Sequence, residues 1–162
     1  MALGGQRDDA VIASLVHIRE CVQMPYLAWS DELVCGIESV DCQHKKLVQL
    51  LNEVHEAVSS GEVHEALINI FDELIDYTLV HFNQEEEVFA AGRYPRLTEH
   101  KALHQTLTQQ VIERRQELDA GQDMFLAAEM LYFLKEWLTQ HILVDDKAGC
   151  RYILEHAREQ AA

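Results

Sequence analysis

The chain contains few residues that interrupt helices, with 7 glycines and 2 prolines among 162 residues. No segment sustains the alternation of apolar and polar residues that marks a half-buried strand. Together these two shortages predict an all-α protein. From Asp41 onward, four of the five helix-breaking residues fall at three breaks, within residues 59–62, 91–95 and 120–123. These breaks divide the chain from Asp41 onward into four segments.

Long apolar runs and basic residues are also scarce. The longest apolar candidate, MFLAAEMLYFL, is interrupted by Glu129 and is shorter than the roughly 20 residues that span a membrane. The first residues, MALGGQRDDA, lack the apolar core of a signal peptide. Asp and Glu number 28 against 13 Lys and Arg, which gives a formal net charge of −15. This charge argues against nucleic acid and against an anionic membrane surface as partners.

Cysteine is sparse as well, and none of the four cysteines forms a CxxC pair. Four cysteines are too few for a disulfide framework in a chain of this length. We therefore expect Cys21, Cys35, Cys42 and Cys150 to be buried thiols, in a protein of the reducing cytoplasm.

Each of the four segments carries apolar residues at the three-to-four-residue spacing of an amphipathic helix. The first segment opens at Asp41, a predicted N-cap, and the second ends at Gly92. The third starts at Pro95, and the fourth opens at Asp123 and continues, with a kink, through residues 151–160. Short loops between long helices predict an antiparallel, up-down-up-down four-helix bundle.

The segment before the bundle is predicted to be a separate extension. Within residues 1–25, DDAVIASLVHIRECV has apolar residues at helical spacing, which predicts a short extra helix. That helix would pack on the bundle or on a second subunit. Residues 26–162 would form the bundle itself, with an extended lead-in and a turn at Gly36.

Histidines and acids recur on inward-facing positions of all four helices. In an antiparallel hairpin, residues equally far from the turn lie side by side. His81 lies 11 residues before Gly92, and His104 lies 12 residues after it. The same count about the other two breaks places every candidate in one layer, within a few ångströms. The candidates are His44, His81, Glu85, His100, His104, His141 and one of the pair Asp145 and Asp146.

A single histidine on a helix is usually a surface residue or a core residue with a hydrogen-bond partner. That interpretation suits His17, His55, His64 and His156, which have no partner in the layer. Applied to the joint set, it would bury five imidazoles and two carboxylates at high cost. Metal ions satisfy all of them, and seven ligands indicate two ions bridged by carboxylates. The donor set suits iron, zinc or manganese, although the ExxH motif of ferritin-like di-iron bundles is absent.

At these residues the sequence resembles the bacterial hemerythrins, which are non-haem di-iron oxygen-binding proteins. The shared pattern is DCQH, HFNQE, HKALH and HILVDD, flanked by WSDELVCGIESVD, GRYP and WLTQHI. It covers about residues 26–155. Spacing on a regular helix would bring Asp145 closer to His141, whereas the HxxxxD pattern of the family selects Asp146.

The resemblance implies a carboxylate-bridged pair of irons with an oxo or hydroxo bridge. One iron would take His100, His104 and His141, and the other would take His44 and His81 and keep an open position for O2. Glu85 and Asp146 would bridge the two. The predicted O2 pocket, whose members also suit a plain core, consists of Leu47, Phe82, Trp137, Leu138 and Ile142. The other two glutamates of the 85–87 run, Glu86 and Glu87, are predicted to face solvent.

The function that the resemblance implies is reversible O2 binding without catalysis, for oxygen carriage or for sensing of oxygen or redox state. The alternatives are a di-iron enzyme acting on peroxide or nitric oxide, an iron-handling protein, and a scaffold that metal merely stabilises. A sensor needs an output. The sequence therefore also suggests two hypotheses for that output. One is a homodimer formed through the N-terminal helix, and the other is an effector domain that follows Ala162 in a longer protein.

Overall fold

The computed structural model describes residues 24–61, 64–120 and 124–161. The extra helix predicted within residues 1–25 falls almost wholly outside these ranges, and so do His17, Cys21 and the predicted N-cap Asp123. The proposed division at residue 25 therefore stays a prediction.

The described residues are helical almost throughout and contain no strand. A short 3₁₀ turn at Asp31–Leu33 lies in the lead-in, and the predicted turn at Gly36 is present, with a φ of 90°. The helices are α1 Glu38–Ser60, α2 His64–Ala91, α3 Leu97–Ala120, α4 Met124–Gln140 and α5 Lys147–Ala161. A π-helical segment, His141–Asp146, joins α4 to α5 and makes one long fourth rod.

The four rods close into a bundle. Helix α1 packs against α2 and α4, and α3 packs against the same two helices. The prediction of an antiparallel four-helix bundle is therefore confirmed, including the irregular continuation of the fourth rod. Within the described ranges no helix is both long and apolar enough to cross a membrane.

Two helix ends differ in detail from the sequence prediction. Helix α2 ends at Ala91, as expected, but the left-handed residue that follows is Arg93, with a φ of 54°. Gly92 is needed for space instead, because a Cβ there would lie 2.5 Å from Cγ1 of Ile153. Helix α1 begins at Glu38, so the prediction of Asp41 as its N-cap was wrong.

Asp41 serves the lead-in from inside the first turn of α1. Its Oδ1 accepts the backbone N–H of Cys35 at 2.7 Å, and its Oδ2 accepts the N–H of Gly36 at 2.9 Å. A buried carboxylate with two such donors is satisfied, and it fastens the lead-in to the helix. This contact fixes the backbone at Cys35.

The interior of the bundle has two different halves. Toward the 59–62 and 120–123 breaks, the buried side chains of the described residues are apolar, among them Leu51, Val54, Leu67, Phe71, Leu118 and Met130. Toward the opposite end, the same helices bury histidines and carboxylates instead. The apolar half supplies the burial that stabilises the bundle, and the polar half forms the site.

Candidate metal centre

The seven predicted side chains converge in one buried layer. Each is at most 3% exposed. Their ligating atoms form two groups, within each of which all atoms lie within 4.8 Å of one another. The first group is Glu85, His100, His104, His141 and Asp146. The second group is His44, His81, Glu85 and Asp146, so the two carboxylates belong to both.

Distances within the first group match those of ligands on one metal ion. Nε2 of His100 lies 3.0 Å from Oε2 of Glu85. Nε2 of His141 lies 3.1 Å from Oδ1 of Asp146 and 2.9 Å from Nε2 of His104. Ligand atoms with bonds of about 2.1 Å to one ion lie about 3 Å apart when the bonds are perpendicular. The first group can therefore surround a single ion.

Asp146 faces both groups with different oxygens. Its Oδ1 lies toward His141, and its Oδ2 lies 3.2 Å from Nε2 of His44 on the opposite side of the bundle. Asp146 is fully buried, whereas the side chain of Asp145 is 31% exposed and reaches His141 only from outside, at Nδ1. The structure thus places Asp146 inside the layer.

The π-helical segment explains this choice of aspartate. In a π-helix the backbone hydrogen bond spans five residues, so that residues five apart share a face. His141 and Asp146 are five apart and begin and end the segment. A regular α-helix would have brought Asp145 to that face, which is why spacing alone favoured Asp145.

Four of the five imidazoles have a polar contact on the side that faces away from the layer. Nδ1 of His81 lies 3.0 Å from Oε1 of Gln43, and Nδ1 of His104 lies 2.9 Å from Oε1 of Glu86. His141 reaches Asp145 at 3.5 Å, and His44 reaches the Cys35 thiol at 3.8 Å. An Nδ1–H that donates outward leaves Nε2 with a lone pair that points inward, which is the tautomer a metal ligand needs.

The inward-facing atoms do not satisfy one another without a cation. With their Nδ1 protons held by Glu86 and Asp145, His104 and His141 bring two Nε2 lone pairs to 2.9 Å. Nε2 of His44, Oε1 of Glu85 and both Oδ atoms of Asp146 are buried without a hydrogen-bond partner, because the short contacts of Asp146 lack hydrogen-bond geometry. Buried groups of this kind are costly. The donor set therefore fits a pair of cations.

The role of Glu86 corrects the sequence prediction. It was expected to face solvent with Glu87, but its side chain is only 17% exposed, and it accepts from His104 while pairing with Lys101 at 2.9 Å. Glu87 is exposed, as predicted. The position of Glu86, directly after a candidate ligand and facing α3, was the signal available in the sequence. The run therefore contains one candidate ligand, one acid that orients a ligand and one surface charge.

Burial and charge set the protonation of two neighbouring histidines of the layer in opposite ways. Burial lowers the pKa of His81 to about 3. Burial also opposes charge on His44, but the adjacent carboxylate of Asp146 and thiol of Cys35 outweigh it and raise the pKa of His44 to about 10. Burial raises the pKa of Asp146, and the nearby charge of Glu85 adds to that effect.

Two members of the predicted O2 pocket lie against the imidazoles. The Phe82 ring stacks on His104 at 3.7 Å between centroids, and Trp137 stacks on His141 at 5.8 Å. Phe82 and Trp137 also meet edge to face at 5.8 Å. The other three members, Leu47, Leu138 and Ile142, are buried in the surrounding core, and their role at the pocket stays a prediction.

The remaining histidines and cysteines divide differently. His55 stacks on Tyr26, and His156 bonds to the carbonyl of Tyr152 at 2.8 Å, so both lie outside the layer, as expected. Cys35 and Cys150 are buried, also as expected, but Cys42 is exposed. The prediction that Cys42 is buried was wrong, because its position on α1 faces away from the bundle.

Comparison with known proteins decides the family. Residues 35–148 match the model of the hemerythrin HHE cation binding domain. The chain belongs to the hemerythrin family. Among its relatives, the bacteriohemerythrin of Pseudomonas aeruginosa (strain PAO1) is 37% identical over 137 residues, covering 85% of this chain and 87% of that one. The bacteriohemerythrin of Stenotrophomonas maltophilia is 35% identical over 138 residues, covering 85% and 88%.

The hemerythrin fold is matched in solved structures too. A wild-type hemerythrin crystal structure is similar with a TM-score of 0.70 and 25% identity, covering 79% of this chain and 98% of that one. Hemerythrins bind O2 at a non-haem di-iron centre, and the buried cluster of this hemerythrin is able to hold metal. The resemblance inferred from the four motifs is therefore confirmed.

Proposed function

We propose that this hemerythrin binds O2 reversibly at a carboxylate-bridged di-iron centre. The observation that carries the proposal is the pair of groups that share two carboxylates and no imidazole. The proposed ligands are His100, His104 and His141 for one ion, His44 and His81 for the other, and Glu85 and Asp146 between them. When bound, such a pair of irons supplies reversible two-electron chemistry toward O2.

The side chains around the layer orient the proposed ligands and keep water away from them. Gln43, Glu86 and Asp145 accept from outward-facing imidazole nitrogens and so hold the rings in place. Phe82 and Trp137 cover the imidazoles with apolar rings, which limits the access of water and protons. A dry wall of this kind favours release of O2 unchanged over its conversion to products.

We propose that the centre binds O2 without catalysing its conversion.

Three described cysteines are free thiols, which supports a cytoplasmic location. Carriage and sensing share the same binding step, so the site itself suits either. A homodimer formed through residues 1–25, and an effector domain in a longer protein, stay predictions.

The first test is metal content together with an optical spectrum in air. We expect two irons per chain and near-ultraviolet bands from an oxo group bridging them. Zinc as the sole metal, from cells grown with ample iron, would contradict the proposal and support a metal-stabilised scaffold. Replacing His44 and His81 by alanine is expected to leave at most one ion, bound by the other group.

The second test is rapid mixing of the reduced, iron-loaded protein with O2. We expect a visible band that persists in O2 and disappears when O2 is removed. Decay within milliseconds, or sustained consumption of peroxide or nitric oxide, would support the enzymatic alternative instead. An Asp76→Asn variant, altered at an exposed position of α2 outside both groups, serves as a matched control.

A further inference from the structure

Two buried thiols lie together beside the layer, outside the seven proposed ligands. Cys35 is in the lead-in and Cys150 is on α5, 115 positions later in the chain. The two segments meet, because Gly36, next to Cys35, packs against Leu154, one turn after Cys150. Each thiol is close enough to shift the pKa of the other, which is lowered for Cys35 and raised for Cys150. Cys35 is 9% exposed and Cys150 is fully buried. Nδ1 of His44 lies 3.8 Å from Sγ of Cys35. The thiol pair therefore adjoins a proposed metal ligand.

Two glycines pack closely against neighbouring side chains and so hold the two segments that carry the thiols. A Cβ on Gly149 would lie 2.3 Å from Cε2 of Phe89, so the missing side chain lets α5 approach α2. Next to Cys35, Gly36 has a φ of 90°, and a Cβ there would lie 3.1 Å from Cδ1 of Leu154 on α5. Together with the bonds from Asp41, these contacts fix the backbone on each side of the thiol pair.

We propose that Cys35 and Cys150 form a peroxide-sensitive dithiol, which a hydroperoxide converts into a disulfide joining the lead-in to α5. In the first step a peroxide oxygen is transferred to Sγ of Cys35. With hydrogen peroxide, an S–O bond forms, the O–O and S–H bonds break, and the thiol proton leaves with the second oxygen as water. In the second step Sγ of Cys150 attacks the same sulfur, an S–S bond forms, the S–O bond breaks and a second water leaves.

The geometry assigns different parts to the two cysteines. Cys35 is the thiol that a small oxidant reaches, because it retains some exposure and its neighbour Val34 is 39% exposed. Cys150 is shielded from solvent but adjoins Cys35, so it captures the oxidised sulfur before further oxidation. The oxidant is the two-electron reduction product of O2. Its reaction with the thiols does not depend on O2 binding at the layer, which by the proposed function returns O2 unchanged.

The test uses the full chain with Cys21→Ser and Cys42→Ser, so that only the proposed pair remains. Treatment with one equivalent of hydrogen peroxide is followed by intact mass, maleimide counting of thiols under denaturing conditions, and a non-reducing peptide map. We expect the mass to fall by two hydrogens, both thiols to disappear and one peptide to contain both cysteines. A reductant should restore the starting mass.

Single substitutions in this background separate the two parts. With Cys150→Ala, Cys35 should gain oxygen atoms without any cross-link. With Cys35→Ala, Cys150 should keep its thiol. The cross-link should also raise the thermal midpoint by several degrees, since it closes a long loop.

Two outcomes would overturn the proposal. One is that both thiols survive at a peroxide concentration that oxidises the exposed Cys42 of the unmodified chain. The other is that oxygen is added without a cross-link when both cysteines are present. Running the assay on metal-free and iron-loaded protein separates this inference from the O2 proposal, because the metal-free chain should cross-link even if no O2 binding is found.

Discussion

The two halves of the bundle interior are built on the same four rods and follow different physical rules. In the apolar half, around Phe71 and Leu118, every buried side chain gains by leaving water. In the polar half, around Glu85 and Asp146, buried groups face one another with lone pairs and charges that the protein does not balance. The apolar half stabilises the fold, and the polar half, without a cation, opposes it.

That difference shows how a small protein can hold a costly site. Marginal stability would not tolerate seven buried polar ligands unless other burial offset them. Here the offset lies in the distal half of the same helices, so the site needs no separate scaffold. Substitutions that change the stability or the metal content of one half alone therefore test this division.

The largest effect is expected from Asp146→Asn. Because Asp146 belongs to both groups, the variant should lose both ions, and iron per chain should fall from two toward zero. The metal-free variant should be less stable than the metal-free parent at neutral pH, because Asp146 is the buried counter-charge of protonated His44. Metal analysis and denaturant unfolding measure the two effects.

Asp76→Asn is the matched control, since Asp76 is exposed on α2, belongs to neither group and should leave iron content near two per chain. A variant at Asp146 that kept both irons would show that the π-helical segment does not select the ligand.

A change in the apolar half should lower the stability of the fold without any loss of iron. Phe71→Ala removes a fully buried ring and should lower the free energy of unfolding by about 3–5 kcal/mol. Iron per folded chain should stay unchanged, because no proposed ligand moves. If iron were lost in proportion to stability, the two halves would not be independent.

An intermediate effect is expected within the HFNQEEEVF run. Glu86→Gln weakens the acceptor for Nδ1 of His104 and should reduce metal affinity by about 10- to 100-fold. Glu87→Gln, altered at the adjacent exposed position, should change affinity little. Competition against a chelator measures both variants. Equal behaviour of the two would remove Glu86 from the site.

The most gradual effect is a pH dependence of the metal-free protein. The pKa of His44 is raised to about 10 by Asp146 and Cys35, in spite of burial. A raised pKa stabilises fully below the ordinary value of 6.5, and that stabilisation is lost as pH rises through about 10. The free energy of unfolding should therefore fall across this window, by at most about 1.4 kcal/mol per pH unit.

His44→Asn should flatten that slope. His81→Asn should not, because burial lowers the pKa of His81 to about 3 and keeps the ring neutral throughout the window. Urea unfolding at pH 7 and pH 9 distinguishes the two variants.

Much of the fold and the site could be predicted from sequence, because helix breaks and side-chain chemistry are local signals. Counting residues from the turns placed His81 and His104 in one layer, which the antiparallel packing confirms. Local signals failed where tertiary contacts decide. Asp41 looks like an N-cap but bonds backward to the lead-in, and the exposure of Cys42 depends on which face of α1 meets its neighbours.

Asp146 marks a different limit. Its place follows from a backbone irregularity that residue spacing on a regular helix does not reveal, so only the family pattern pointed to it. Glu86 and Gln43 were missed for a related reason, because an acceptor behind a ligand is defined by the neighbouring helix rather than by its own.

The π-helical segment also sets the phase of everything after it. One extra residue per turn between His141 and Asp146 rotates the whole of α5 by roughly 100° relative to an uninterrupted rod. That rotation turns Cys150 toward the lead-in and Gly149 toward Phe89. Deleting a single residue from the segment would therefore misplace both the carboxylate of Asp146 and the thiol of Cys150.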